Sequence, residues 1–263
     1  MAGLTIDLAG RSAVVTGGGR GIGAEVARAL AEAGARVVVA ARSEEQIEGV
    51  ARDLLAAGHA ARAIVCDVTD AESVSRLARE AEAAMGIVDI LVNNAGIASS
   101  APLKRLEPDE WNRLLAVNAT GTYLCTRAFL GGMVSSGWGR VINVASVAGR
   151  TAASYISAYA ASKHAVIGFT RAVAAEVATT GVTVNAICPG FVASPMTDRS
   201  IERIVERTGL SGVEARARIE ATNPQGRLIE PEEVAFLAVA LCDPRARGIH
   251  GQAIGVDGGA LLA

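Results

Sequence analysis

Two residues that could move a proton, Tyr159 and Lys163, are four positions apart in a stretch whose apolar spacing predicts a helix. Residues four apart share one face of a helix, so the two side chains are about one turn apart. A free tyrosine ionises at about pH 10, and a nearby ammonium favours the phenolate and lowers that pKa. The pair could therefore act as an acid or base near neutral pH. An exposed Tyr/Lys pair without chemical consequence is the plain alternative.

The choice of lysine at this position is informative, because the basic side chains of the chain are almost all arginine. Lys104 and Lys163 are the only lysines. Arginine keeps its proton and has a broad planar head, whereas lysine is compact and can take part in a proton relay. Lysine at position 163 therefore favours the chemical interpretation of the pair.

A second candidate site is the glycine-rich segment 16–23, with the spacing Gly17-x-x-x-Gly21-x-Gly23. Glycines let the backbone turn tightly and let a phosphate approach a helix N-terminus, where free N–H groups and the helix dipole stabilise negative charge. A flexible loop is the alternative. Because a predicted strand precedes the segment and a predicted helix follows it, a dinucleotide site is favoured.

These residues belong to a regular alternation of short apolar runs and longer amphipathic stretches. Strands are predicted over Ser12–Thr16, Arg36–Ala40, Ala63–Cys66, Ile90–Asn93, Arg140–Ala145, Val182–Ile187 and Ala253–Val256. Helices are predicted over Gly21–Ala33, Ser43–Ala57 (capped by Ser43), Ala71–Met85, Glu110–Val134, Ser157–Thr179 and Pro231–Leu241. Short Val/Ile-rich strands alternating with helices predict an α/β fold with a doubly wound parallel sheet. No linker interrupts residues 1–263, so one domain is expected, with ligands at the carboxyl ends of the strands.

Composition excludes several classes of protein. A net charge of −2 over 263 residues argues against nucleic-acid binding and against a polybasic membrane-surface protein, since both need a cationic excess. No apolar run reaches the roughly 18 residues of a membrane-spanning helix. The N-terminus lacks the pattern of a signal peptide, so a cytoplasmic location is expected. The four cysteines are far apart and the three histidines have no ligand-like spacing, which predicts packed thiols and no metal site.

Several motifs resemble the short-chain dehydrogenase/reductase family in both order and spacing, from about residue 10 to residue 259. The matching segments are Thr16–Gly23, Cys66-Asp67-Val68, Asn93-Asn94-Ala95-Gly96, Asn118, Ser146, Tyr159-x-x-x-Lys163, Pro189-Gly190 and Val256-Asp257-Gly258-Gly259. The resemblance implies a Rossmann-type fold with seven parallel strands. It also implies an oxidoreductase that exchanges a hydride between a nicotinamide and a ketone or secondary alcohol.

The resemblance assigns catalytic roles to four residues. Tyr159 gives or takes the hydroxyl proton, while Lys163 holds the nicotinamide ribose and tunes Tyr159. Ser146 orients the carbonyl oxygen, and Asn118 completes the proton path through a helix distortion that holds a water. On the residues alone, Ser146 could be a structural serine in a turn. Asn118 could equally be a solvent-facing amide that lowers helix propensity.

Contacts to the cofactor carry over in the same way. The expected set is Gly17, Gly19, Arg20, Gly21, Ile22, Gly23, Arg42, Asp67, Val68, Asn94, Ala95, Gly96, Tyr159, Lys163, Pro189, Gly190, Val192 and Ser194. Asp67 as a loop cap and Pro189 as a strand terminator are the plain alternatives. The family usually carries threonine where this chain has Ser194, and serine keeps the hydroxyl.

The sequence predicts a preference for NADP(H), with NAD(H) as the weaker alternative. NAD enzymes of this fold carry an acid at the end of the second strand, where it binds the adenine ribose hydroxyls. The corresponding residue here is Ala41, which cannot do so. Arg42 follows and Arg20 lies in the glycine-rich loop, so two guanidiniums could bind a 2′-phosphate. Glu44 and Glu45 could partly neutralise Arg42.

The resemblance also implies a substrate lid at about residues 194–227 and a homotetramer, or at least a dimer. The long predicted helices Glu110–Val134 and Ser157–Thr179 correspond to the family's subunit interface. The sequence does not name the substrate. Candidates are a 3-oxoacyl thioester, an aryl or alicyclic ketone, a polyketide-type intermediate and a hydroxy acid.

An acyl carrier protein is acidic, so a reductase that docks one needs a basic patch beside its active site. The positions that carry this patch in carrier-protein reductases are neutral here: Gly131, Gly132, Ser135, Ser136, Ala174 and Ala175. A small ketone or alcohol, or a coenzyme A thioester, is therefore favoured over a 3-oxoacyl-[acyl-carrier-protein]. The arginines of the lid argue the other way, because they could supply a basic surface for a carrier protein: Arg199, Arg203, Arg207, Arg216 and Arg218. A catalytically silent dinucleotide-binding protein is disfavoured by the complete Ser/Tyr/Lys set.

Overall fold

The computed structural model describes residues 5–261, and its centre is a parallel sheet of seven strands. The strands are β1 (Ser12–Thr16), β2 (Arg36–Ala41), β3 (Ala61–Val65), β4 (Ile90–Asn93), β5 (Gly139–Val144), β6 (Val182–Pro189) and β7 (Ala253–Val256). Their order across the sheet is β3-β2-β1-β4-β5-β6-β7. The winding direction reverses between β1 and β4, which opens a crevice at the carboxyl ends of these strands. The predicted Rossmann-type fold is confirmed.

Helices cover both faces of the sheet. They are α1 (Gly21–Glu32), α2 (Glu44–Ala56), α3 (Ala71–Met85), α4 (Pro108–Leu115), α5 (Gly121–Ser136), α6 (Ser157–Val177), α7 (Pro195–Thr208), α8 (Gly212–Glu220) and α9 (Pro231–Cys242). Side chains of α1, α2 and α9 form one hydrophobic core with the sheet, and those of α3, α5 and α6 form another. Successive strand residues alternate between the two cores: Val37 and Val39 enter the first, and Val38 enters the second. This alternation explains why the strands are apolar throughout.

Two predicted helix features differ from the structure. The single helix predicted over Glu110–Val134 is two helices, α4 and α5, joined by a π-helical turn over Ala116–Thr120. Ser43 occupies the N-cap position of α2, but its side chain makes no capping hydrogen bond, so the predicted cap is wrong. The acidic first turn of α2, Glu44 and Glu45, is instead placed to interact with the helix dipole.

The amino-terminal edge of the sheet is closed by a stack of three side chains. Trp138 contacts two guanidiniums, with the Cζ of Arg11 3.7 Å and the Cζ of Arg140 4.3 Å from its ring centroid. Arg11 also pairs with Asp89 at 2.9 Å, and Asp89 accepts a hydrogen bond from the backbone of Ser12. The stack therefore joins the starts of β1, β4 and β5.

The four cysteines are free and buried, which agrees with the predicted packed thiols. Within residues 5–261, no helix is long and apolar enough to span a membrane. No group of three or more His, Cys, Asp or Glu side chains in this part of the chain could hold a metal ion.

Candidate active site

The glycine-rich loop runs from the end of β1 into α1. Gly17 has φ +64° and Gly21 has φ +53°, values that side-chain-bearing residues rarely adopt. A Cβ on Gly17 would lie 2.8 Å from the Cα of Ala95, and one on Gly19 would lie 2.9 Å from the Cβ of Gln46. The first turn of α1 contains no acid, and no side chain caps it. Its free N–H groups and bare backbone therefore fit the pyrophosphate of a dinucleotide.

The loop is held by the start of the segment that follows β4. The Asn94 side-chain amide donates hydrogen bonds to the carbonyl oxygens of Thr16 (3.1 Å) and Gly17 (3.0 Å). In return, the Thr16 hydroxyl accepts from the backbone N–H groups of Asn94 (3.1 Å) and Ala95 (3.2 Å). The Asn94 amide thus faces the loop. A Cβ on Gly23 would be only 2.3 Å from this amide, so Gly23 and Asn94 are packed directly together.

Arg42 and Asp67 lie at the ends of adjacent strands, β2 and β3. An Arg42 nitrogen is 3.9 Å from an Asp67 oxygen, and the Arg42 side chain is 70% exposed. The other Asp67 oxygen accepts from the Thr69 N–H (2.9 Å) and hydroxyl (2.8 Å), so Asp67 does cap its loop. Burial alone would raise the pKa of Asp67, but the Thr69 hydrogen bonds and Arg42 outweigh it and lower that pKa. Val68 is buried against Gly121.

Ser146, Tyr159 and Lys163 come together at the carboxyl end of β5. Ser146 follows this strand, and α6 carries Tyr159 and Lys163 on one face. The Ser146 and Tyr159 side chains are neighbours that interact electrostatically, and the Ser146 hydroxyl accepts a hydrogen bond from the Ala148 N–H at 3.1 Å. The Lys163 ammonium donates to the Val144 carbonyl at 2.8 Å and lies 5.9 Å from the centroid of the Tyr159 ring.

Burial controls the ionisation of both groups on α6. It raises the pKa of Tyr159, an effect that the hydrogen bond with Ser146 opposes and the nearby Cys188 adds to. Burial also lowers the pKa of Lys163, to about 8. In the protein alone, desolvation of the phenolate dominates and raises this pKa. The lowered pKa, expected beside both an ammonium and a cationic nicotinamide ring, stays a prediction for the cofactor-bound protein. Tyr159 is held in its protonated, proton-donating form.

Asn118 lies in the π-helical turn between α4 and α5 and is 1% exposed, so it does not face solvent. Its amide oxygen accepts from the Ile97 N–H (2.9 Å), and its amide nitrogen donates to the Ile97 carbonyl (2.9 Å) and the Ser162 hydroxyl (2.9 Å). Ser162 in turn donates to the Tyr159 carbonyl at 2.7 Å. The π-turn is the helix distortion that the sequence predicts. Ser162 was missed, because a serine in mid-helix carries no distinctive sequence signal.

A cavity of about 810 Å³ opens in front of this group. Its wall is mostly apolar and is formed by the loops after β4, β5 and β6 together with α7. Ten of the predicted site residues line it: Ile22, Asn94, Gly96, Ser146, Tyr159, Lys163, Pro189, Gly190, Val192 and Ser194. Asn118 lies behind the wall, where its amide oxygen and the Lys163 ammonium both border Gly96.

Known proteins share this architecture. A family model described as short chain dehydrogenase matches residues 11–204. D-beta-hydroxybutyrate dehydrogenase of Cupriavidus necator is 38% identical over 258 residues, covering 96% of this chain and 98% of the relative. A 3-oxoacyl-[acyl-carrier-protein] reductase of Vibrio harveyi is 39% identical over 254 residues, covering 97% and 98%. The crystal structure of a tryptophan variant of actinorhodin polyketide ketoreductase with NADPH matches with a TM-score of 0.93 at 39% identity, covering 95% and 97%.

Fold and site together define an NAD(P)-dependent oxidoreductase that acts on CH–OH groups and the corresponding ketones. The chain belongs to the short-chain dehydrogenase family.

The buried Lys163 predicts a pH dependence of stability. Its pKa is about 8 in the folded chain, against 10.5 for the free side chain. The cost of burying the charge is fully present below pH 8 and is lost as the pH rises towards 10.5, because only the unfolded state then stays protonated. In urea unfolding, the wild type should therefore gain about 2–3 kcal/mol relative to Lys163→Met between pH 8 and pH 10.

Lys104→Met is the matched control, since it removes the other lysine, which is exposed. Its stability difference from the wild type should stay constant over the same pH range. Parallel pH curves for the wild type and Lys163→Met would contradict the depressed pKa.

Proposed function

We propose that the chain reduces a ketone, or oxidises the matching secondary alcohol, with Tyr159 as the group that gives or takes the proton. The observation that carries this proposal is the neighbouring pair of Ser146 and Tyr159 at the cavity wall, with Lys163 buried beside it. Both residues line the cavity, where their hydroxyls can donate to the carbonyl oxygen of a substrate. Preorganised donors stabilise the negative charge that develops there during reduction.

The proposed roles follow from the contacts. A bound nicotinamide dinucleotide supplies or accepts the hydride. Tyr159 donates its proton to the substrate oxygen as charge develops, and its raised pKa keeps that proton in place until then. Lys163, with a pKa of about 8, can pass a replacement proton to Tyr159 near neutral pH. Asn118 positions the Ile97 backbone and Ser162 around this path.

The cofactor site in this proposal extends from the glycine-rich loop to the catalytic group. The free N–H groups at the start of α1 would hold the pyrophosphate, and Asp67 and Val68 would hold the adenine. Pro189, Gly190 and Val192 would hold the nicotinamide end. Ser194 is the N-cap residue of α7, but its hydroxyl makes no capping bond, so it is free to bind the carboxamide.

The preferred cofactor in our proposal is NADP(H). The neutral Ala41 ends β2, and the exposed Arg42 follows it, so no acid at this strand end repels a 2′-phosphate. Within residues 5–261, Arg42 forms its ion pair with Asp67, and neither Glu44 nor Glu45 pairs with it. The similar ketoreductase structure contains NADPH, which supports the same choice.

Ala41→Asp should reverse the cofactor preference. A carboxylate at this position can bind the ribose hydroxyls of NAD(H) and repels the 2′-phosphate of NADP(H). We expect the ratio of kcat/KM for NADPH over NADH to fall at least tenfold, measured with one ketone at saturation. Ala41→Asn is the control, because it has the same size without the charge. A wild type that uses NADH as well as NADPH would contradict the assignment.

The experiment that tests the proposed reaction follows NADPH absorbance over a panel of ketones, with acetoacetyl groups offered on carrier protein, on coenzyme A and as the free acid. We expect a free ketone or a coenzyme A thioester to be the better substrate. The helix positions that would form a carrier-docking patch are neutral, and Ala174 among them is buried. A carrier-linked substrate better by tenfold in kcat/KM would favour the alternative, a carrier-protein reductase like the Vibrio harveyi relative. Cofactor binding without turnover of any ketone would indicate a silent dinucleotide-binding protein.

The proposal extends to the molecule as a whole. Residues 1–263 act as one catalytic domain, and the segment 194–227 closes over the substrate, because Met196, Ser200 and Ile219 already line the cavity. The chain works in the cytoplasm and assembles as a homotetramer through α5 and α6. An edge-to-face pair, Tyr123 and Phe169, joins these two helices, and Tyr123 is 42% exposed. Sedimentation equilibrium measures the assembled mass.

A further inference from the structure

The charged residues of the cavity are all of one sign. Among the described residues that line it, the only ionisable acids or bases besides the tyrosines are Lys163, Arg203 and Arg207, and none is Asp or Glu. Lys163 is accounted for by the proton path on α6. The two arginines belong to α7, on another wall of the cavity, and the proposed reaction does not use them. In an otherwise mostly apolar wall, such cations select for a negatively charged ligand.

The spacing of the two arginines points to a ligand rather than to helix stability. Arg203 and Arg207 are four residues apart on α7, so they share a face and repel each other. No carboxylate oxygen within residues 5–261 lies within 4 Å of a nitrogen of either guanidinium, although Arg203 is close enough to Glu110 to help lower the pKa of that carboxyl. Glu110 is paired directly with Arg113 at 2.8 Å, and Arg216 is paired with Glu220 at 2.8 Å. Two like charges on one face without a close counter-ion favour the binding of an anion between them.

Backbone contacts hold both guanidiniums in place. Arg207 donates to the Ser100 carbonyl at 3.0 Å and approaches the Ser100 hydroxyl at 3.5 Å, which fixes it across the mouth of the cavity. Arg203 donates through Nε to the Arg199 carbonyl at 3.1 Å, which leaves its two terminal nitrogens for another acceptor. A guanidinium oriented in this way loses little further freedom when it binds a carboxylate or phosphate.

We propose that Arg203 and Arg207 form an anion-binding subsite that recognises a carboxylate at the end of the substrate remote from the reacting carbon. This inference rests on the proposed function and names its substrate class: oxo or hydroxy acids with an apolar body. The apolar wall buries the body, Ser146 and Tyr159 bind the ketone oxygen, and the arginine pair binds the acid. A carboxylate is favoured over a phosphate because both arginines line the same mostly apolar cavity as Ser146 and Tyr159, so one small substrate can reach both groups.

The test compares matched acids and esters in the wild type and in Arg203→Gln, Arg207→Gln and the double variant. The probes are 4-oxopentanoate and 4-oxocyclohexanecarboxylate, each beside its methyl ester, with NADPH. For the acids, we expect KM to rise at least tenfold in each single variant, with kcat changed less. For the esters, KM should stay within about twofold of the wild type. Arg216→Gln is the control, since it removes a lid arginine that does not line the cavity.

Calorimetric titration with cyclohexanecarboxylate, which has no ketone to reduce, measures the subsite without turnover. We expect binding to the wild type and at least a tenfold loss in the double variant. If no ketone is turned over but this binding persists, the proposed function fails and the subsite stands. Suppose that ketones are reduced, but that the wild type has the same KM for the acids as for their esters, or that the variants raise both KM values equally. The subsite is then overturned and the proposed function stands.

A second pair of probes, acetoacetyl-coenzyme A and acetoacetyl-pantetheine, distinguishes the source of the anion. The first carries phosphates and the second carries none. If the double variant loses activity only on the coenzyme A thioester and keeps the wild-type KM for the oxo acids, the arginines bind a phosphate of coenzyme A. The carboxylate proposal is then overturned.

Discussion

Tyr159→Phe should lower kcat by about 10³-fold while leaving the dissociation constant of NADPH almost unchanged. The substitution removes only the phenolic hydroxyl. The ring stays in its site, and Lys163 keeps its hydrogen bond to the Val144 carbonyl. The substrate oxygen then loses both its proton donor and one of the two hydroxyls that stabilise its charge. Single-turnover kinetics, together with a fluorescence titration of NADPH, measures the two effects separately.

Tyr123→Phe is the matched control for this substitution. It also removes one tyrosine hydroxyl, but Tyr123 lies on α5 outside the cavity lining. Its hydroxyl accepts only a long hydrogen bond from Arg127, at 3.3 Å. We expect kcat within about twofold of the wild type, because the substitution removes one hydroxyl outside the cavity and leaves Ser146, Tyr159 and Lys163 unchanged. Retained turnover in Tyr159→Phe would refute the proposed proton transfer.

Gly23→Ala should weaken NADPH binding by at least about 10²-fold, since misplacing a binding group by a fraction of its own size has effects of this order. The added Cβ would lie 2.3 Å from both the Gly17 carbonyl oxygen and the Asn94 amide nitrogen. Neither atom can yield alone, because the amide also holds the Thr16 carbonyl. The glycine-rich loop must therefore shift, and the N–H groups that meet the pyrophosphate shift with it.

Helix propensity by itself predicts that Gly23→Ala stabilises the folded protein, since alanine is favoured over glycine in a helix by about 1 kcal/mol. Gly49→Ala isolates that term. Gly49 lies in α2, and a Cβ there would meet nothing within 4 Å. This variant should bind NADPH like the wild type and gain about 0.5–1 kcal/mol in urea unfolding. Unchanged NADPH affinity in Gly23→Ala would show that the loop tolerates the contact.

The sequence predicted the features that follow from pattern. Strand β4, helix α3 and strand β7 have the predicted bounds, because strict apolar spacing and neighbouring turn residues define them. The segment 194–227, for which the resemblance implied a lid, contains α7 and α8, and Met196, Ser200 and Ile219 on these helices line the cavity. Tyr159, Lys163 and Ser146 meet as the resemblance implied, since the carboxyl end of β5 and one face of α6 bring them together.

Features that depend on three-dimensional surroundings were not predictable. The pKa of Tyr159 is raised because of burial, which no spacing of residues reveals. Asn94 was expected among the cofactor contacts, but its amide faces Thr16 and Gly17, a contact between distant parts of the chain. The five lid arginines looked equivalent in sequence. In the structure, Arg203 and Arg207 on α7 line the cavity, whereas Arg199 on the same helix and Arg216 on α8 do not.

The stack of Arg11, Trp138 and Arg140 has a spectroscopic consequence. Trp138 lies at the amino-terminal edge of the sheet, whereas the glycine-rich loop and Ser146 lie at the carboxyl edge. The other tryptophan, Trp111, lies on α4, so the measurement uses a Trp111→Phe background. The remaining indole emission then reports whether β1, β4 and β5 remain assembled, independently of events at the nucleotide-binding edge. A variant such as Gly23→Ala that fails to bind NADPH but keeps the native emission maximum of Trp138 has a local defect in the loop. In the same sample, a red-shifted maximum would mark the opening of the sheet itself.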